Sequence, residues 1–89
     1  MTSIPAEHEI DSWLAEYIGE LLTLPSAEID REATFDSLGL DSATAIAITG
    51  ELEDWLGLQL DPNVAYVHPT IRSLSRYLAE SAVSKNIAS

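Results

Sequence analysis

The chain has 89 residues, which suits one domain, and it contains no cysteine and two histidines. This composition excludes disulfide frameworks and thiolate metal sites, and two histidines do not build a metal site unaided, so no metal is expected. Fifteen acidic residues against four basic ones give a net charge of −11 at pH 7, which opposes binding to nucleic acid and to anionic membranes.

The chain also lacks the features of exported and membrane proteins. No stretch approaches the ~18 apolar residues needed to cross a bilayer, and the first residues lack the basic and apolar regions of a signal peptide. A large net charge favours a soluble, separate molecule. We therefore expect a cytoplasmic monomer.

The first predicted helix covers residues 8–23. Its apolar residues recur at i, i+3, i+4, i+7 and i+8, which is the pattern of one helix face. Pro25 ends the helix, because a proline cannot continue the hydrogen-bond ladder and restricts the residue before it. The stripe consists of Ile10, Trp13, Leu14, Tyr17, Ile18, Leu21 and Leu22.

Residues 24–41 form a connection longer than compact domains usually contain without a structural or functional reason. Four apolar residues predict that this loop is ordered and held across the bundle. Residues 34–37 can form a helical turn that Gly39 ends in a left-handed conformation. The apolar residues are Ile29, Phe35, Leu38 and Leu40.

The second predicted helix covers residues 42–56. Asp41 is a favourable N-cap, and Gly57 supplies the left-handed residue that ends many helices. The spacing of the first helix recurs here, with a core stripe of Ala45, Ile48, Thr49, Leu52, Trp55 and Leu56.

Two more helices follow. Asp61 and Pro62 have the N-cap and first-residue signature of a helix, and Pro69 limits that helix to one or two turns. Thr70 is a suitable cap for a last helix, whose core face consists of Ile71, Leu74 and Leu78, with Tyr77 beside them.

The predicted fold is all-α: a small four-helix bundle with three long helices, one short helix and a long ordered loop between helices one and two. We divide the chain into an N-terminal leader at residues 1–7, one folded domain at residues 8–83 and a frayed C-terminal tail at residues 84–89.

Ser42 is the residue best placed to carry chemistry. It lies where the ordered loop becomes a helix, so its hydroxyl lies beside free backbone N–H groups and the positive end of the helix dipole. A phosphate ester is favoured there. Helix geometry alone also allows a simpler interpretation, in which Asp41 and Ser42 only cap the helix.

The run from Phe35 to Ser42, FDSLGLDS, resembles the modification motif of phosphopantetheine-dependent acyl carrier proteins, especially the polyketide-synthase type. The segment HPTI at residues 68–71, followed by Leu74, Tyr77 and Leu78, resembles the start of the last helix in that family. LGL at residues 56–58, followed by Leu60, resembles the exit from its second helix. These matches cover about residues 10–80.

The resemblance implies a non-catalytic carrier in polyketide, fatty-acid or related biosynthesis. A phosphopantetheinyl transferase is expected to move 4′-phosphopantetheine from coenzyme A to Ser42, and the arm then holds acyl groups as thioesters. The implied partners are this transferase and acyl-loading, ketosynthase or other acyl-transferring enzymes with basic docking surfaces.

The expected partner-binding face lies at the start and on the outer side of helix two. Four of its residues lie at i, i+3, i+4 and i+7, away from the core stripe. Ala43 and Ala47 depart from the family pattern, which usually has a bulky apolar residue after the serine and often an acidic one near position 47. The predicted face is Asp41, Ala43, Ile46, Ala47, Gly50, Glu53 and Asp54.

Three other functions are alternatives for this sequence. A hydrolase would use Ser42 as a nucleophile and His68 as its base, but the sequence supplies no third group to orient that base. An acidic helical adaptor would bind a basic partner without a prosthetic group. A peptidyl carrier for aminoacyl groups has the same fold, although LGLDS, with Asp41 before the serine, favours acyl cargo.

Overall fold

The computed structural model describes residues 6–88, with side chains for residues 6–81. Four α-helices and no strand form this part of the chain, which confirms the predicted all-α four-helix fold. The helices are α1 (Glu7–Leu22), α2 (Ser42–Leu56), α3 (Val64–Val67) and α4 (Ile71–Ala88), with a single 3₁₀ turn at Ser26–Glu28.

Helix α1 ends one residue before the predicted limit, because the chain turns sharply there. Thr23 is left-handed, with φ of 60°, and the N–H of Leu24 donates to the carbonyl of Gly19 at 2.8 Å. A Cβ atom on Gly19 would lie 2.6 Å from the carbonyl oxygen of Leu24, so this close approach requires glycine. Pro25 then leads into the 3₁₀ turn.

The core forms where α1, α2 and α4 turn their apolar faces inward, and the loop and α3 complete it. α1 packs against α4. Leu21 does not follow its predicted stripe and is 49% exposed, because the helix ends next to it. The core consists of Ile10, Leu14, Ala15, Ile18, Ile29, Phe35, Leu40, Ala45, Ile48, Leu52, Val64, Ala65, Ile71, Leu74 and Leu78.

The loop between α1 and α2 is ordered, as predicted, and backbone hydrogen bonds tie it to the start of α4. The N–H of Phe35 donates to the carbonyl of Pro69 at 2.8 Å, and the N–H of Arg72 donates to the carbonyl of Arg31 at 3.1 Å. Thr34 and Thr70 form an isolated antiparallel bridge between these two contacts. The end of the loop is thereby fixed beside α3 and α4.

One side chain fastens the first half of the loop. The guanidinium of Arg31 donates from Nε to Oδ1 of Asp11 on α1 at 2.8 Å. Its Nη1 donates to the carbonyls of Ser26 at 2.7 Å and Ile29 at 2.8 Å. The Arg31 and Asp11 side chains are only 22% and 21% exposed, so the ion pair is partly shielded from water.

Helix α3 is the predicted short helix, but it starts two residues later than the Asp61–Pro62 signature predicts. Asp61 accepts a hydrogen bond from the N–H of Asn63 at 2.8 Å, which forms a turn instead of a helix cap. Helix α4 begins as predicted, because Oγ1 of Thr70 accepts from the N–H of Ser73 at 3.0 Å. It continues to Ala88, past residue 84.

The predicted leader at residues 1–7 and the predicted tail at residues 84–89 both overlap helices of the structure. α1 begins at Glu7, within the proposed leader, and residues 1–5 lie outside the described part.

None of the helices within residues 6–88 has the length and apolar composition needed to cross a membrane. No group of three potential metal ligands occurs among residues 6–81, whose side chains are described.

Candidate functional site at the start of helix α2

Ser42 is exposed and is the first residue of α2. Asp41 caps the helix in an extended conformation, with φ of −86° and ψ of 179°, and its Oδ1 accepts from the N–H of Thr44 at 2.8 Å. The first turn of a helix has N–H groups without acceptors inside the helix. The Ser42 hydroxyl is therefore open to solvent at a site whose backbone favours an anionic group.

The cap also fixes the charge beside Ser42. The N–H of Thr44, which donates to the carboxylate, holds the pKa of Asp41 below its ordinary value. Because the folded-state pKa is lowered, this contribution to stability is present above the unfolded-state pKa and is lost as the pH falls through the folded value. At neutral pH the residue before Ser42 is negatively charged.

The last turn of the loop determines where α2 begins. Gly39 has φ of 90°, in the left-handed conformation that the sequence predicts, and the N–H of Leu40 donates to the carbonyl of Phe35 at 3.0 Å. Phe35 and Leu40 are 5% and 7% exposed. Their burial holds the last turn of the loop against the core directly before Ser42.

An open cleft of about 290 Å³ lies next to Ser42. Its inner part is lined by the buried residues Phe35, Leu40, Ala45 and Ala65. Exposed residues border it: Thr34, Asp36, Asp41, Ser42, Tyr66 and Pro69. The Ser42 hydroxyl therefore lies between solvent and the apolar inner part of the cleft.

His68 does not line this cleft. Its ring stacks on Tyr77 of α4 with centroids 4.2 Å apart and an interplanar angle of 19°. Together with Arg72 and Arg76 it lines a different cavity, of about 510 Å³. No hydrogen bond joins His68 to the Ser42 hydroxyl among the described side chains, so the base that a serine hydrolase requires is not supplied by this histidine.

Most of the predicted partner face lies on one accessible side of α2. Ala43, Ile46 and Ala47 are exposed, and Gly50 is half-buried. Ile46 is 52% exposed, which is high for a large apolar side chain. The part of the face that directly follows Ser42 is therefore apolar.

The two acidic residues of the predicted face differ from each other. Asp54 is exposed. Glu53 is half-buried, and its Oε2 accepts from the N–H of Leu60 at 2.7 Å, which holds the connection after α2. Glu53 therefore stabilises the local backbone after α2. No residue pattern in the sequence indicates this contact, because the two residues are seven positions apart.

Gly50 is not required by packing, since a Cβ atom built on it meets no atom within 4 Å. We expect Gly50→Ala to raise the free energy of unfolding by about 1 kcal/mol, because glycine costs that much relative to alanine inside a helix. Denaturant unfolding followed by circular dichroism measures this difference.

Gly50→Leu then separates folding from docking, with Gly50→Ala as its control. Leucine is also a good helix former, so this variant should be at least as stable as the wild type. If the face contacts partner enzymes, the added side chain should slow their turnover at every salt concentration. Turnover equal to that of Gly50→Ala would remove this face from the partner contact.

Comparison with known families agrees with the resemblance of the Ser42 motif to a phosphopantetheine attachment site. A family model described as a phosphopantetheine attachment site matches residues 12–78. One component of the phenolphthiocerol/phthiocerol polyketide synthase of Mycobacterium tuberculosis is 32% identical over 88 residues, which are 99% of this chain. The chain spans only 5% of the length of that relative.

Two solved structures resemble most of the chain. An acyl carrier protein from Anabaena with a variant phosphopantetheinylation-site sequence is 35% identical, with a TM-score of 0.84 over 92% of this chain and 94% of that one. A free-standing peptidyl carrier protein from Acinetobacter baumannii is 29% identical, with a TM-score of 0.79 over 85% of this chain and 95% of that one. The fold is thus common to carriers of both cargo classes.

Proposed function

Because the chain belongs to the acyl carrier protein family, whose prosthetic group is 4′-phosphopantetheine, we propose that Ser42 bears this group and that the chain carries acyl intermediates of polyketide biosynthesis on it. The observation that carries the proposal is an exposed Ser42 at the first position of α2, beside an apolar cleft. When attached, the arm supplies the thiol that forms the thioester, which a chain without cysteine does not itself provide.

The residues around Ser42 fit this group. A phosphodiester needs one accessible hydroxyl and a surrounding that tolerates its negative charge. Ser42 supplies the hydroxyl, and the first-turn N–H groups of α2 supply the favourable field. Asp41 directs its carboxylate to the N–H of Thr44, so part of its charge is already engaged by the helix.

The carrier has no catalytic role in this proposal. A serine nucleophile requires a hydrogen-bonded base, and His68 is stacked on Tyr77 instead. The chain acts as a substrate, which presents its arm to separate enzymes. We propose the cytoplasm as the compartment, since coenzyme A donates the arm there.

The partners proposed are a phosphopantetheinyl transferase, followed by acyl-loading, ketosynthase or other acyl-transferring enzymes. Their active sites must reach an arm anchored at Ser42, so contact is proposed at the exposed residues Ala43, Ile46 and Ala47, which follow Ser42 on α2. With a net charge of −11, the carrier attracts basic surfaces, which accelerates association. Asp41 and Asp54 are exposed carboxylates of the predicted face.

The cleft favours acyl over aminoacyl cargo, which is the alternative for this fold. Phe35, Leu40 and Ala45 offer an apolar surface to a chain held near Ser42. The ammonium group of an aminoacyl thioester would lose hydration against such a surface, whereas an acyl chain would not.

The direct test is incubation of the purified chain with coenzyme A and a promiscuous phosphopantetheinyl transferase, followed by intact-mass measurement. We expect a gain equal to one phosphopantetheine group. Absence of any gain would leave the acidic helical adaptor as the explanation.

The carrier that bears the arm should then be incubated with loading enzymes of both classes, which transfer either malonyl or aminoacyl groups. We expect acylation by the polyketide-type enzymes. Loading by adenylating amino-acid enzymes alone would establish the peptidyl carrier instead.

A further inference from the structure

The far end of α2 carries an aromatic stack that the Ser42 site does not use. The rings of Trp13 on α1 and Trp55 on α2 are 5.2 Å apart between centroids, with an interplanar angle of 9°. Tyr17 also stacks with Trp13, with centroids 5.2 Å apart and an interplanar angle of 22°. Trp55 is 39% exposed, whereas Trp13 and Tyr17 are half-buried against the core. We call these three residues the tryptophan surface.

Exposed carboxylates lie near the residues of the tryptophan surface along α1 and α2. Glu16 lies three residues after Trp13, Glu20 lies three after Tyr17, and Glu51 lies four before Trp55. Residues three or four apart are neighbours on a helix surface, so each carboxylate lies on the same side of its helix as the aromatic residue. All three are exposed.

The arginines whose side chains are described are engaged elsewhere. Arg31 pairs with Asp11, Arg72 with Glu32 at 3.1 Å, and Arg76 contacts Glu7 at 4.0 Å. Among residues 6–81, then, no salt bridge engages the carboxylates beside the tryptophan surface.

Flat aromatic rings beside carboxylates match one side chain particularly well. A guanidinium is planar, stacks on indole and donates hydrogen bonds to carboxylates at its edge, whereas an ammonium is a compact, strongly hydrated charge. We propose that the tryptophan surface binds an arginine-containing basic segment of a partner protein.

This contact is separate from arm attachment. Trp55 lies 13 residues after Ser42 along α2, so at 1.5 Å per residue the two are about 20 Å apart along the helix. A partner held at Trp55 leaves Ser42 accessible. The surface therefore acts as a tether that keeps the carrier near an enzyme while the other end of α2 exchanges its cargo.

Intrinsic fluorescence tests the proposal directly, because both tryptophans of the chain belong to the stack. The full chain should be titrated with hexa-arginine and with hexa-lysine at physiological salt. We expect both peptides to bind through their charge, and hexa-arginine to bind about fivefold more tightly and to change the tryptophan emission.

Trp55→Leu should remove the preference for arginine and leave Trp13 as the fluorescent reporter. Trp55→Phe keeps a ring at this position and should retain part of the preference, which decides the matter if the leucine variant proves unstable by thermal melting. Equal affinity for the two peptides, or a preference unchanged in these folded variants, would overturn the proposal.

The contribution of the carboxylates has its own matched pair. Glu51→Gln should weaken hexa-arginine binding, whereas Glu80→Gln, which removes the same charge from an exposed position on α4, should weaken it less. Equal losses would mean that net charge alone attracts the peptide. Because arm attachment is scored by mass and peptide binding by fluorescence, failure of one result leaves the other intact.

Discussion

Ser42→Ala is expected to abolish attachment of the arm completely while the helical bundle remains folded. The hydroxyl is the only acceptor that the proposed reaction uses. Its loss costs little stability, because the side chain is exposed, alanine is a good helix former and the Asp41 cap is unchanged. Intact-mass measurement after treatment with transferase and coenzyme A, with circular dichroism of the same sample, checks both parts.

Ser37→Ala is the matched control, since Ser37 is also exposed and lies five residues before Ser42. Its Oγ donates to the carbonyl of Thr34 at 2.9 Å, so the hydroxyl is engaged within the loop. This variant should gain the same mass as the wild type. If Ser42→Ala still gains the arm, or if only Ser37→Ala fails to gain it, Ser42 is not the attachment site.

Arg31→Met should lower the free energy of unfolding by about 2–3 kcal/mol, because it removes three charge-assisted hydrogen bonds at a partly shielded site. Asp11 and the carbonyls of Ser26 and Ile29 would lose their donor. For a domain of this size the loss corresponds to a fall in melting temperature of roughly 10–20 °C. Denaturant and thermal unfolding measure both quantities.

Arg72→Met provides the comparison on the same chain. The Arg72 and Glu32 side chains are 51% and 66% exposed, and their charged atoms are 3.1 Å apart. Water screens this pair, so it should contribute less than about 1 kcal/mol to the free energy of unfolding. Similar losses for the two variants would show that the shielding of Arg31 has no energetic consequence. A double-mutant cycle with Asp11→Asn then isolates the ion pair from the two carbonyl contacts.

Local signals in the sequence account for most of the fold. The bounds of α2 were predictable because Asp41 and Gly57 act within one helical turn, and both have the expected conformation. The order of the loop followed from the apolar residues Phe35 and Leu40, which are buried. Ser42 at the start of α2 followed from the same signals.

The remaining features depend on contacts between distant residues. The sequence around Asp61 allows both a turn and a helix cap, and the structure contains the turn. Glu53 reaches the N–H of Leu60, and Arg31 reaches Asp11, 20 positions earlier, without any periodic pattern that marks these pairs. The stacking of Trp13 on Trp55 likewise requires the relative placement of two helices.

The ties between the loop and the start of α4 have a consequence for how the sequence can vary. The bonds from Phe35 to Pro69 and from Arg72 to Arg31 use only main-chain atoms, which every replacement at an acceptor position retains. A donor position excludes only proline. An exposed loop position outside the modification motif, such as Glu32, is thus open to randomisation in a library, and selection for arm attachment should recover broad diversity there while it retains glycine at position 39.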